Sequence, residues 1–141
     1  MKGKVAEIFK SVQGEGLYVG EKQVFVRLAE CNLSCRYCDT NILAFSEYEP
    51  RDVLEELSYW KQECQTVSFT GGEPLLQKEF LKEVLLLTRE AGFKNYLETN
   101  GTLPEALEEV IDNVDIVAMD FKFPSSTGAG SFWRQHEEFL R

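Results

Sequence analysis

An α/β fold organised on a parallel sheet is what this sequence predicts, and three observations carry that expectation. Apolar runs of strand length alternate with amphipathic stretches of helix length. The links between them are short, as strand–helix connections usually are. The polar motifs of the chain recur at the C-terminal ends of the predicted strands, where α/β folds carry their working groups.

The first strand covers residues 4–9, with Val5, Ile8 and Phe9 apolar. It runs into Ser11-Val-Gln13-Gly14-Glu15-Gly16, where two glycines flank a carboxylate. Such a stretch is either a plain turn or a loop whose backbone approaches a ligand closely. Residues 23–29 then alternate, with Val24, Val26 and Leu28 on one face and Phe25, Arg27 and Ala29 on the other. A charged Arg27 in so apolar a strand either reaches solvent at an edge or faces a cavity holding an anion. The cysteine-rich loop that follows directly favours the cavity.

That loop is Cys31-Asn-Leu-Ser-Cys35-Arg-Tyr-Cys38-Asp39-Thr40, with spacing C-x3-C-x2-C. Three thiolates from so short a stretch can wrap one corner of a metal site. A closed iron–sulfur cluster normally has four cysteine ligands, and structural zinc also closes with four. Three ligands leave one metal position open, as chemistry at a metal requires. The competing reading makes Cys35 and Cys38 half of a zinc site that Cys31 and Cys64 complete. Disulfides fit less well, because three cysteines this close cannot pair neatly and no secretory signal precedes them.

After a polar and aromatic stretch to Glu49, Pro50 suits the first turn of a helix through about Gln62, with Val53, Leu54, Leu57 and Trp60 as its apolar stripe. Residues 66–70 form a strand ending in Gly71-Gly72-Glu73-Pro74. A second helix follows, with Phe80, Leu81, Val84 and Leu85 on one face and Gly92 as its C-cap. Residues 94–99 are the next strand, ending in Glu98-Thr99-Asn100-Gly101. Thr102-Leu-Pro-Glu105 predicts a capping box for a third helix bearing Leu107, Val110 and Ile111. Residues 116–121 form a further strand ending near Asp120-Phe-Lys122. Beyond Pro124-Ser125-Ser126-Thr127-Gly128 a fourth helix begins, with Phe132, His136, Phe139 and Leu140 at helical spacing. His136, the only histidine, reads as packing. The pattern reaches Arg141 with no stop signal and no following strand, which predicts a larger fold shortened at its C-terminus.

Four polar motifs at four strand ends point into one mouth, which a structural zinc knuckle does not need. The totals agree with a single domain over residues 1–141, long enough for a proper core. Fifteen Lys and Arg against 24 Asp and Glu give a net charge of −9, which argues against a nucleic-acid footprint. Much of that charge lies in residues 47–56 and 105–115, as solvated helix faces. No apolar run approaches the roughly 18–20 residues of a membrane span. Reduced thiols without an apolar leader predict a cytoplasmic protein.

The Cys31/Cys35/Cys38 spacing followed by Gly-Gly-Glu-Pro resembles the radical S-adenosylmethionine (SAM) superfamily. Within it, Gln13-Gly-Glu-Gly16, Phe25-Val-Arg27-Leu, Cys-Asp39-Thr40, Glu98-Thr-Asn100-Gly and Lys122-Phe-Pro-Ser125-Ser126 together are similar to the 7-carboxy-7-deazaguanine synthase family, over about residues 7–128. The resemblance implies a partial (β/α) barrel. It implies a four-iron, four-sulfur cluster on Cys31, Cys35 and Cys38, with SAM on the fourth iron. SAM contacts fall to Gly71, Gly72, Glu73, Glu98, Asn100 and Lys122, and a Mg²⁺ ligand to Thr40. Contacts to a pterin substrate, 6-carboxy-5,6,7,8-tetrahydropterin, fall to Gln13, Gly14, Glu15, Gly16 and Arg27. The implied reaction contracts the pterin ring with loss of ammonia on the way to queuosine and related deazapurines. A flavodoxin or ferredoxin electron donor and a homodimer are implied as well. Tyr37 is expected to shield the cluster, Cys64 to be a buried thiol, and Ser125 and Ser126 carry no assigned contact. The alternatives are the activase of a glycyl-radical enzyme, which shares the cysteine spacing, and a non-catalytic zinc-binding module.

Overall fold

The computed structural model describes residues 1–38 and 44–141. Among them, six strands form one sheet: β1 (Gly3–Val12), β2 (Lys22–Leu28), β3 (Ser46–Tyr48), β4 (Thr66–Gly71), β5 (Lys94–Thr99) and β6 (Ile116–Met119), in the order β3-β1-β2-β4-β5-β6. From β2 to β6 the pairs are parallel, as the alternation of elements predicts. The sheet is nonetheless mixed, because β1 runs antiparallel to both neighbours. The link between β1 and β2, residues 13–21, is shorter than the roughly twelve residues a parallel crossover needs, so it closes a hairpin instead. The short edge strand β3 lies in the polar-aromatic stretch that sequence periodicity leaves unassigned.

Among the described residues there are five α-helices, α1 (Pro50–Ser58), α2 (Lys78–Glu90), α3 (Pro104–Glu108), α4 (Pro124–Thr127) and α5 (Trp133–Phe139), of which α1 and α2 pack on the sheet. The order β2-β4-β5-β6 advances in one direction without reversing. Crossovers of a single hand therefore lay their helices on one face of the sheet. The core shows this directly: Val24, Val26 and Leu28 of β2, Val67 and Phe69 of β4 and Leu97 of β5 meet Val53, Leu57, Leu81, Val84 and Leu85 of α1 and α2. Cys64 belongs to the same buried cluster. The other face carries Phe25, Arg27, Ser68, Thr70, Tyr96 and Glu98, which alternate with the core residues along their strands. A sheet covered on one face only, with a polar inner face, is a segment of a barrel wall.

The helix signals hold in part. Pro50 opens α1, and Glu49 and Asp52 form a reciprocal capping box. The helix stops at Ser58, short of Gln62, and turns deliver Cys64 to the core, its N–H donating to the Trp60 carbonyl at 2.9 Å. Gly92 takes φ +79° just after the end of α2. The predicted capping box at Thr102 does not form, and α3 starts from Leu103 with no side-chain cap. The Thr102 hydroxyl is already committed, donating to Asn100 Oδ1 at 2.6 Å and accepting from Asn32 Nδ2 at 2.9 Å. The helix predicted beyond Gly128 forms as α5, preceded by the unpredicted short α4 in the Pro124–Thr127 stretch. His136 is buried on α5, its Nε2 3.1 Å from the Asn100 carbonyl. No helix among the described residues is long and apolar enough to cross a membrane.

Leu97 sits fully buried at the centre of β5, between β4 and β6 and under the helices. Leu97→Ala leaves a cavity there and should cost about 2–5 kcal/mol. A urea titration checks this, through a lowered midpoint at an unchanged slope.

Candidate active site

The C-terminal end of the sheet is shaped by a backbone contact between two strand ends. The Gly72 N–H donates to the Leu28 carbonyl at 3.1 Å, and the Glu73 N–H donates to the Glu30 carbonyl at 2.9 Å. At Gly71, with φ +126°, a Cβ would collide with the Leu28 carbonyl; at Gly72 it would collide with that of Glu30. Both positions therefore exclude any side chain. Glu30 itself holds φ +74°, a left-handed turn rarely taken by a non-glycine residue, immediately before Cys31. Its carbonyl bond to Glu73 and its carboxylate bond from Lys4 Nζ at 2.6 Å fix that turn.

Glu73 is fully buried. It accepts from the Leu75 N–H at 3.0 Å, the Thr99 hydroxyl at 2.9 Å and the Asn100 N–H at 2.8 Å. Its carboxylate thus joins the ends of β4 and β5 and does not line the cleft. Burial pushes its pKa up, against the hydrogen bonds from Asn100, Leu75 and Thr99, which pull it down. The geometry thus gives the Glu73 carboxylate three protein donors and a place behind the cleft wall, and of Gly71-Gly72-Glu73-Pro74 only the two glycines line the cleft itself.

Beyond this contact opens a cleft of about 960 Å³. Cys31, Cys35 and Cys38 line one side, with Gly71, Gly72, Glu98, Asn100 and Lys122 from the other strand ends and Gln13, Glu15 and Gly16 from the β1–β2 hairpin. Glu98 accepts from Gln13 Nε2 at 2.9 Å and Ser68 Oγ at 3.3 Å with one oxygen, and from Thr70 Oγ1 at 2.6 Å with the other. Lys122 pairs with Asp120 and donates to the Tyr37 hydroxyl at 3.0 Å. Burial pulls the Lys122 pKa down, but the bonds to Asp120 and Tyr37 outweigh it, so the ammonium is held charged. Tyr18 meets Tyr96 edge-on and gives the cleft an aromatic wall. Tyr37 is half exposed and lines the cleft beside Lys122.

Two expected members stand apart from this cleft. Arg27 lies directly opposite Glu7 in the β1–β2 register, and their side chains pair at 2.8 Å, with the guanidinium over the Phe9 ring. Its anion is a carboxylate of the same hairpin. Gly14 is exposed and lies outside the lining. Asp39 and Thr40 fall outside the described residues. Ser68, Thr70, Tyr18, Tyr96 and Asn32 went unmarked in the sequence; only the alternation of Ser68 and Thr70 against buried Val67 and Phe69 pointed to an inner polar face.

The donor set distinguishes the two metal readings. Cys64 is buried in the helix-side core, so it cannot complete a four-cysteine zinc site with residues lining the cleft. Among the described residues, no three Cys, His, Asp or Glu side chains converge on a single ion. A four-iron cluster does not ask this of its ligands, because each thiolate takes its own iron. Burial raises the Cys31 pKa most, the Leu33 N–H lowers it, and the charges of Glu73, Cys35 and Cys38 raise it further. Thiolates that repel one another on one loop are relieved by bound cations. The residues fit an iron–sulfur cluster with one open corner.

The Glu73 pKa, raised by burial, gives a signed expectation. The proton-linked stability it contributes is full below the ordinary glutamate range and is lost as pH climbs through the raised value. Glu73→Gln has no such titration. The stability gap favouring wild type should shrink over that window, measured by urea midpoints of both chains at each pH; a gap that widens would contradict the burial assignment.

Comparison with known proteins agrees with this geometry. The family model of the radical SAM superfamily matches residues 26–137. The chain is 38% identical over 160 residues to the 7-carboxy-7-deazaguanine synthase of Geobacter sulfurreducens, covering 97% of this chain and 64% of that one. It is 42% identical over 144 residues to the one from Methanopyrus kandleri, covering 86% and 57%. The chain thus spans little more than half the length of these curated relatives. Among solved structures, the crystal structure of QueE from Escherichia coli superposes with a TM-score of 0.66 at 27% identity, over 72% of this chain and 54% of that one. A structure of TYW1 with a lysine–pyruvate adduct bound, at 17% identity and a TM-score of 0.56, shares the fold. With three cysteines on one mouth, a one-sided barrel wall behind them and a family match over most of its length, the chain belongs to the radical SAM superfamily.

Proposed function

We propose that this chain carries the catalytic machinery of a 7-carboxy-7-deazaguanine synthase, converting 6-carboxy-5,6,7,8-tetrahydropterin with loss of ammonia on the route to queuosine and related deazapurines. The observation that carries this reading is one cleft lined jointly by three cysteines, the Gly71-Gly72 strand end, Glu98, Asn100 and Lys122. The identity to named synthases supports it. In this reading Cys31, Cys35 and Cys38 hold the four-iron, four-sulfur cluster. When bound, cluster and SAM supply the one-electron chemistry that starts the ring contraction. Gly71 and Gly72, which line the cleft, would bind the cofactor's amino group through their backbone carbonyls. Glu98, oriented by Gln13, Ser68 and Thr70, and Asn100 hold its methionine and ribose parts. Lys122, kept charged, steadies its carboxylate.

Gln13, Glu15 and Gly16 offer polar contacts to the pterin, and the Tyr18–Tyr96 wall suits a flat ring. Thr40 would supply Mg²⁺ with a hard oxygen ligand, and the ion would bridge to the substrate carboxylate. A small flavodoxin or ferredoxin delivers electrons, and the protein works in the cytoplasm as a homodimer.

Anaerobic turnover of this chain after cluster reconstitution tests the proposal. With reductant, Mg²⁺, SAM and 6-carboxytetrahydropterin, mass spectrometry should find both 5′-deoxyadenosine and 7-carboxy-7-deazaguanine. Deoxyadenosine alone would assign substrate recognition to residues outside this sequence. Neither product from a loaded cluster would overturn the reading. Replacing Cys31, Cys35 or Cys38 by Ala should abolish stable loading with iron and acid-labile sulfide, whereas Cys64→Ala should retain it.

A further inference from the structure

Residues 31–38 of the cysteine loop have almost no regular structure of their own, yet two remote turns tie them down. At its start, Asn32 Oδ1 accepts from Asn100 Nδ2 and Asn32 Nδ2 donates to Thr102 Oγ1, both at 2.9 Å across 68 and 70 residues of sequence. The partners are themselves fixed. Asn100 and Thr102 are buried, Asn100 Oδ1 accepts from the Thr102 N–H at 3.0 Å, and the Asn100 N–H is held by Glu73. Between Cys35 and Cys38, the Arg36 N–H donates to the carbonyl of Thr127 at 3.1 Å.

Thr127 is almost fully buried at the end of α4, where its hydroxyl donates to the Phe123 carbonyl and accepts from the Ala129 N–H. Gly128 follows with φ +73°, and a Cβ there would collide with the Arg36 side chain lying over it. The Ser125-Ser126-Thr127-Gly128 motif thereby acquires a use that its hydroxyls do not suggest: it is the seat of the loop's second half.

We infer that Asn32 and the Thr127–Gly128 turn are positioning elements that latch the cysteine loop at Asn32 and Arg36, between its thiols, and preorganise those thiols toward the cleft. The consequence for cofactor loading rests on the proposed cluster reading; the latches themselves do not. An irregular loop loses conformational entropy when its ligands assemble, and ties made on folding remove that cost from the binding step. Asn32 and Gly128 therefore act through the loop, without touching the cofactor.

Hydrogen exchange of the full chain without metal reads the latches directly. Gly128→Ala should speed exchange of the Arg36 amide about fivefold to tenfold, the effect of losing one hydrogen bond, with the β4 and β5 amides unchanged. Asn32→Ala should do the same for the Leu33 amide, which donates to Cys31 Sγ. Adding Arg36→Ala to Gly128→Ala removes the collision and should restore part of the protection. After anaerobic reconstitution, both single variants should lose iron to a chelator faster than wild type.

Unchanged exchange in both single variants would overturn the inference. No recovery in the double variant would assign the Gly128 effect to backbone strain and overturn the Arg36 seat. A wild-type loop that is protected, and loosened by the variants, yet takes up no iron and sulfide would support the latches while refuting the cluster reading.

Discussion

The backbone contact between the end of β4 and the strand entering the cysteine loop is the constraint on which the site depends. Two glycines let the chains approach until the N–H groups of Gly72 and Glu73 reach the carbonyls of Leu28 and Glu30. That contact holds Glu30 in a left-handed turn and so directs Cys31 toward the cleft. It also sends the Glu73 side chain inward, where it meets Thr99 and Asn100. A buried carboxyl is costly unless it is hydrogen-bonded, and here the donors are Thr99 at the end of β5, Asn100 just beyond it and Leu75 in the turn after Glu73 itself. Three strand ends are thereby fixed relative to one another by one short segment.

Around this fixed point the sheet separates two environments. On the helix side, apolar side chains of β2, β4 and β5 pack against α1 and α2, and that burial is the main source of stability. On the inner side the same strands present Ser68, Thr70 and Glu98, with Gln13 from the hairpin. Alternation along a strand puts these groups on one face at no cost to the core. The charges of the inner face are each oriented by neighbours: Glu98 by three donors, Lys122 by Asp120 and Tyr37. Oriented charge in a partly enclosed cleft acts on a ligand without first reorganising itself, which is the useful property of a preformed polar site.

Much of this was legible in the chain. The cysteine spacing, the Gly-Gly-Glu-Pro and the Glu-Thr-Asn motifs are local, and each ends a strand whose apolar alternation is plain. The lining of one cleft by all of them follows from parallel strands that share one C-terminal edge. Arg27 was read on the correct sheet face, but its pairing with Glu7 was not foreseen, because the β1–β2 register that sets Glu7 opposite it is a pairing between segments. Thr102 carried a good capping signal that lost to Asn100 and Asn32, competitors for the same hydroxyl brought close only by folding. Asn32 and Arg36 carried no signal, and Gly128 stood in a motif with no assigned contact, since their partners lie far along the chain.

Fold class, the succession of strands and helices, the thiol loop and the strand ends around it all follow from the amino-acid order alone. These depend on residue type and on spacing within a dozen or so positions, which local sterics and hydrophobic periodicity translate directly. Folding in three dimensions settled that β1 turns back as an antiparallel strand, that Glu73 is hydrogen-bonded to the end of β5, that Cys64 is walled off in the core and that the cysteine loop is tied to the Asn100–Thr102 and Thr127–Gly128 turns. Each of these is a choice among competing partners for one donor, one charge or one buried volume. Such choices are settled by which groups arrive within hydrogen-bond distance once the core has closed, and separation along the chain does not encode them.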